Sequence, residues 1–262
     1  VPVYVDIGED YNLNPDLIEK VISPRTKAIL PVHWSGNPCD MDAIMDIAKR
    51  KGLHVVEDAC QAIGARYKDR PVGSFGDAAA FSLHPLKNLN VWGDGGFLTT
   101  NSKELYDQIS LLRNHGLKNR NESVVYGYNS RLDSVQAIVA SQKLKSLEHI
   151  TSSRIRNADF YDTLLGDIPQ VTIPKRDINK KQVYHLYIIK VQDRDSLQQH
   201  LINKGIDAKV HYPIPLHLQE ATRNLGYKKG DFPVAESICD SILSLPVLEY
   251  LKTEDQKYVA SK

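Results

Sequence analysis

The sequence predicts an α/β protein: a mostly parallel sheet flanked by helices, followed by a smaller C-terminal α+β unit. Three observations carry this. Short apolar strands alternate with helical segments over residues 14–58. Those strands lack a polar face, as strands covered on both sides do. After residue 165 the rhythm changes to widely spaced strands and helices.

The elements follow in order. Val1–Asp6 reads as a short strand, and a chain opening inside a strand is expected to be truncated or processed. Asn14 and Pro15 form a helix start over 14–22, as N-cap and first helical residue. Lys27–Val32 is a strand. Asp40–Lys51 repeats apolar residues at helical spacing (Met41, Ile44, Met45, Ile47, Ala48) and stops at Gly52. His54–Asp58 is the next strand. Arg66–Gly73 predicts a hairpin turning near Lys68–Asp69. Ala78–Ser82 and Gly96–Thr100 are two further strands, and 102–114 and 133–165 are helical, the second run ending at 166–169. Beyond it lie strands at Tyr184–Val191 and Ala208–Tyr212, and helices at Asp195–Lys204, Pro233–Leu243 and Thr253–Ser261.

Composition narrows the function. The 262 residues are 42% hydrophobic and 25% charged, ordinary values for a folded domain. Lys and Arg number 33 against 32 Asp and Glu, so a nucleic-acid partner has no electrostatic footprint. The longest apolar runs are too short to span a membrane. Three cysteines without CxxC spacing argue against a disulfide scaffold or zinc site and fit a reducing cytoplasm. The histidines are scattered without HExxH, so no metal site is expected. Gly93–Gly96 does not form GxGxxG between a strand and a helix, which sets a Rossmann dehydrogenase aside.

In parallel α/β sheets, ligands bind beyond the carboxyl ends of the strands. Asp58 and Ser82 close two strands there, and Lys87 follows Ser82 in a loop. Singly, each reads as a turn cap or a solvated loop residue. Together an acid, a hydroxyl and an amine suit pyridoxal phosphate, which takes a Schiff-base lysine, a carboxylate at its ring nitrogen and donors for its phosphate.

These segments carry a family resemblance. Glu57–Asp58–Ala59–Cys60–Gln61–Ala62 with Gly64–Ala65, and Phe81–Ser82 through His84, Pro85, Lys87 and Asn88 to Gly93–Gly96, resemble the DegT/DnrJ/EryC1/StrS sugar aminotransferases. Arg113–Gly116, Gly127–Ala137, His211–His217, Phe232–Glu236 and Leu245–Pro246 follow in that family's order, so the resemblance covers essentially the whole chain. It implies an aspartate-aminotransferase-like (fold type I) architecture. The remaining part of a large cofactor-binding domain would occupy 1–132, connecting helices 133–165 and a small domain 166–262. It implies that Lys87 bears the cofactor, Asp58 pairs with its ring nitrogen, Gln61 lies near its ring hydroxyl and Ser82 donates to its phosphate. Asn129, supported by Arg131, would serve the cofactor of a neighbouring subunit, making the active unit a homodimer. His211, Tyr212 and His217 would face the substrate, or else be polar residues at a domain joint. The implied reaction moves an amino group, with glutamate as donor, to a keto-sugar, a nucleotide-linked one by the family's habit. A PLP-dependent sugar dehydratase has histidine where Lys87 stands. A non-catalytic regulatory protein on the same scaffold has no need of Asp58, Gln61, Ser82, Lys87 and Asn129 together. The family pattern also places a Gly–Thr phosphate loop and a ring-stacking aromatic upstream of Val1, so the expectation is a fragment of the enzyme.

Overall fold

The computed structural model describes residues 1–262. Its main sheet has four strands, β1 (Ala28–Ile29), β2 (His54–Asp58), β5 (Ala78–Ser82) and β6 (Gly96–Thr99), adjacent in that order. The first three are parallel, and β6 is antiparallel to β5. Between β2 and β5 lies the expected hairpin, β3 (Arg66–Tyr67) and β4 (Arg70–Pro71), with Lys68 and Asp69 at φ 46° and 63° in its turn.

Helix α1 (Pro15–Ile18) starts as predicted, with the Asn14 side chain accepting from Asp16 N, and continues as a 3-10 turn. Helix α2 (Met41–Lys51) is capped by Asp40 and buries Met41, Ile44, Ile47 and Ala48 against β1 and β2. Helix α3 (Lys103–Leu112) follows β6, then a small hairpin, β7 (Leu117–Asn119) and β8 (Glu122–Ser123). The predicted long helix is two, α4 (Ser134–Leu144) and α5 (Leu147–Leu165), parted at Lys145–Ser146.

A second sheet has three antiparallel strands, β12 (Ile242–Leu245), β11 (Tyr187–Val191) and β9 (Val171–Thr172). With α5, α6 (Arg194–Asn203) and α8 (Thr253–Ala260) it encloses the largest apolar cluster, including Tyr161, Tyr187, Leu201, Leu243 and Val259. Helix α7 (Pro233–Ser241) packs against β11 through Ile238 and Ile188.

Several expectations change. Val1–Asp6 is not a strand. Only Ile7 bridges Leu13, and Asp6 instead accepts from Val234 N (3.0 Å) and Ala235 N (2.9 Å). Ala208–Tyr212 makes a single bridge, Lys209 to Ser244, and Pro213 and Pro215 just past it lack the N–H groups that would extend the pairing. Helix α7 ends at Ser241, and the wholly buried Ile242–Leu245 is strand. Within 166–262, β10 (Lys180–Lys181) pairs with β3, and Val183 packs with Ala59, Ala62 and Phe81.

Asp6 thus caps a helix more than two hundred residues away, one with no side-chain cap of its own at Phe232. Removing it orphans two N–H groups of the first turn. Asp6→Ala is expected to cost about 1–2 kcal/mol, read as a lower urea midpoint at unchanged m-value.

Candidate active site

Strand alternation decides which side chains share a face. Asp58 on β2 lies opposite Ala80 on β5, and Ser82 stands two residues further on, so Asp58 and Ser82 project from the same face. Their neighbours Glu57, Ala79 and Phe81 project from the other, where all three are buried.

Each predicted residue has a definite setting. Asp58 Oδ1 accepts from Cys60 N (3.0 Å), while the Cys60 thiol donates to Ala80 O (3.7 Å). Burial, and then the nearby Asp58 carboxyl, push the Cys60 thiol up to about 12, so it stays protonated. Gln61 Oε1 accepts from Ser35 N at 2.6 Å, which leaves its amide hydrogens for another partner. Ser82 Oγ accepts from His84 N (3.2 Å) and keeps its own hydrogen to donate. Lys87 is half-buried, and its Nζ has no hydrogen-bond or ion-pair partner. Burial lowers its pKa, against the raising effects of Cys60 and Asp58.

The structure brings Asp58, Cys60 and Lys87 within electrostatic reach of one another, with His211 also in the field of Lys87. His211 Nδ1 lies 2.9 Å from Ser244 Oγ, and burial is the main cause of its lowered pKa. Tyr212 is exposed. His217 is buried, its Nε2 sits 2.9 Å from Glu236 Oε1, and its ring packs on Phe232. With that nitrogen taken, it organises the 217–236 segment and presents no free edge to a pocket. Asn129 and Arg131 lie apart on an exposed loop, with Arg131 Nε donating to Asn129 Oδ1 (3.0 Å).

Several contributors escaped the sequence reading. Fully buried Glu57 accepts from Gly73 N (2.7 Å), Phe75 N (2.7 Å), Gly76 N (2.8 Å) and His33 Nε2 (3.0 Å). His33 Nδ1 accepts from Cys39 N (3.0 Å), so its proton is on Nε2. A glutamate two residues after Val55, on the same face of the strand, was the available signal. His185 is the other, an imidazole in the fields of Lys87 and His211 that the sequence shows only as one of nine scattered histidines.

The DegT/DnrJ/EryC1/StrS aminotransferase family model matches residues 1–262. The chain belongs to this family. Among relatives, it is 44% identical over 260 residues to the erythromycin biosynthesis sensory transduction protein EryC1 of Saccharopolyspora erythraea, covering 99% of this chain and 71% of that one. It is 42% identical over 252 residues to the dTDP-3-amino-3,4,6-trideoxy-alpha-D-glucose transaminase of Streptomyces venezuelae, covering 96% and 66%. The crystal structure of S. venezuelae DesV in complex with a ketimine intermediate superposes with a TM-score of 0.97 at 41% identity, covering 100% of this chain and 71% of that one. Pyridoxal phosphate is the cofactor of this aminotransferase family, and a solved neighbour is a PLP-form sugar aminotransferase. The donor set here fits it: an unpaired amine, a carboxyl two residues along the sheet from a hydroxyl, and an amide with free hydrogens.

Glu57 supplies the test of the framework. Burial works to raise its pKa, but the His33, Gly76 and Gly73 hydrogen bonds overcome that and hold it below 4.5. A depressed folded-state pKa stabilises fully above the unfolded value, and that stability is lost as pH falls through the folded value. Glu57→Gln turns an amide N–H toward backbone N–H groups. It is expected to cost about 2 kcal/mol or more at neutral pH and to flatten the acid side of the stability–pH curve, measured by urea unfolding across pH.

Proposed function

We propose that this chain transfers an amino group from glutamate to the ketone of a nucleotide-linked sugar, using pyridoxal phosphate held at Lys87. The observation carrying the reading is the half-buried Lys87 amine, unpaired and in the field of Asp58. The dTDP-sugar transaminase at 42% identity supports the substrate class. A relative named for sensory transduction raises a regulatory reading, which gives the unpaired Lys87 no task.

When bound, pyridoxal phosphate supplies an aldehyde for amine exchange and a ring that withdraws electrons. The chain's own residues do the rest. Asp58 presents negative charge to the ring nitrogen and favours its protonation. The backbone N–H of Cys60 fixes the orientation of that carboxyl. The amide hydrogens of Gln61, aimed by Ser35, suit the ring hydroxyl, and the Ser82 hydroxyl suits the phosphate. Lys87 holds and moves the proton at the carbon bearing the amine. Burial of its side chain raises the neutral fraction that this task needs. His211 stands on the substrate side, with exposed Tyr212 beside it.

A second copy completes the site in this reading. Asn129 and Arg131 are exposed, and Tyr126, Tyr128 and Trp92 around that loop are large apolar residues left in solvent. Such a surface supports a homodimer in which Asn129 reaches the neighbour's phosphate.

Two expectations follow. Lys87→Arg and Lys87→Ala should both lose about 10³-fold or more in amination rate. They should also lose the near-violet absorbance that borohydride abolishes in the parent. A Lys87→Arg protein close to parental rate overturns the role. Mixed Lys87→Ala and Asn129→Ala subunits should recover up to about a quarter of parental activity, because half the dimers are mixed and each has one intact site. No recovery despite demonstrated subunit exchange returns Asn129 to its own subunit's site.

A further inference from the structure

The segment Val183–His185 passes beside the Lys87 loop and is held from three sides. Asn88 Nδ2 donates to Val183 O (2.9 Å), and Arg154 donates through one terminal nitrogen to Tyr184 O (3.0 Å). On the third side Val183 N donates to Gly36 O (3.0 Å), and Leu186 N to Ser35 O (3.4 Å). The clamp fixes the backbone of His185 between the neighbour of Lys87 and the partner of Gln61.

Five buried side-chain polar atoms lack a hydrogen-bond partner. Tyr161 OH lies in the core beside Tyr187. The other four are Asn88 Oδ1 and Arg154 Nε, on two residues of the clamp, His185 Nδ1, on the residue the clamp fixes, and Thr151 Oγ1. Asn88 and Arg154 hold adjacent carbonyls with their other polar atoms, and His185 is the next residue. Thr151 stands one turn before Arg154 on α5, on the same face. Its turn meets the Asn88 side of the site through Leu147, which packs on Leu83 and Leu89.

The four atoms are complementary. Arg154 Nε–H only donates, Asn88 Oδ1 only accepts, and the Thr151 hydroxyl can donate. A water molecule accepts two hydrogen bonds and donates two, and buried waters are found where otherwise unsatisfied polar groups converge. We propose that one buried water joins these four atoms and fixes His185 as the neutral tautomer protonated on Nε2, making it a positioning residue of the Lys87 site. The water accepts from Arg154 Nε and Thr151 Oγ, and donates to Asn88 Oδ1 and His185 Nδ1. With Nδ1 an acceptor, the proton belongs to Nε2, on the ring edge that is not buried. Burial first, then the charges of Lys87, Arg154, His211 and His84, hold the imidazole neutral, with a pKa lowered to about 3. Glu249, paired with Arg154 at 3.2 Å, offsets part of that charge on the far side. On the reading of this site as a sugar aminotransferase, the Nε2–H donates to an oxygen of the sugar and adds no positive charge beside Lys87.

The test is ring-nitrogen NMR on protein labelled with ¹⁵N-histidine. His185 should show one pyridine-like nitrogen, Nδ1, and one protonated nitrogen, Nε2, unchanged from neutral pH down to about pH 5. Thr151→Val should bring the two signals together by freeing the tautomer, and Thr151→Ser should restore the parental pattern. A crystal structure should show a water within hydrogen-bond reach of all four atoms. Protonation at Nδ1, titration near the ordinary histidine pKa, or Thr151→Val signals identical to the parent overturns the proposal. Kinetics form a separate arm: His185→Phe should lower kcat/KM for the keto-sugar about 10-fold. If amination itself is absent while the NMR pattern holds, the functional reading has failed and the water and tautomer stand.

Discussion

The site depends on the buried carboxylate of Glu57. Burying an ion is costly unless its hydrogen-bond capacity is filled, and here four donors fill it. Three belong to the backbone of Gly73–Gly76, so the loop before β5 is tied to β2 independently of the sheet. The fourth, His33, passes the constraint through its Nδ1 to Cys39 N, just ahead of α2. Because side chains alternate along a strand, fixing Glu57 inward fixes Asp58 on the opposite face. A slip of one residue would bury Asp58 against Phe81 and leave Glu57 facing the site, which makes the register strongly specified. Gly73 shows how tightly the loop fits: at φ +82°, a Cβ there would lie 2.4 Å from the Phe81 ring.

A second constraint ties this framework to the C-terminal half. Gly36, at φ +88°, would place a Cβ 2.7 Å from Val183 Cγ2 and 3.0 Å from Gln61 O. Only glycine lets these three segments meet so closely. The same contact aligns Ser35 N on Gln61 and Gly36 O on Val183 N. The floor of the site is therefore a single packed unit drawn from distant parts of the chain. Lys87, on a flexible stem without a partner, is the group left free to move above it, an arrangement in which positioning and proton transfer fall to different residues.

Much of this was legible where local chemistry decides structure. The Asn14 cap, the Gly52 stop and the Lys68–Asp69 turn each act within a few residues, and each appears as read. Asp58, Ser82 and Lys87 were legible because strand ends and the loop after them are written consecutively. Elements whose partners lie far off were not. Asp6 serves helix α7 rather than a strand, and β12 exists because β11 offers it a partner. Tyr184–Leu186 has a strand-like composition, yet its neighbours in space are Ser35, Gly36 and Arg154, so β11 begins only at Tyr187. His217 matched a family segment, but nothing local reveals Glu236 as its partner.

The charge pattern around Lys87 follows from these placements. Burial disfavours the ammonium, while Asp58 favours it, so the amine sits between two opposing effects. Three further titratable groups lie close enough to disturb that balance, and each is held neutral. Cys60 is kept protonated by burial and by the negative charge of nearby Asp58. His185 and His211 are pushed toward the neutral form, burial being the main cause for both. Hydrogen-bonding groups thus surround the amine without adding charge. The opposing charges left at the centre are Lys87 and Asp58, and a proton moved by Lys87 is governed chiefly by that pair and by whatever ligand lies between them.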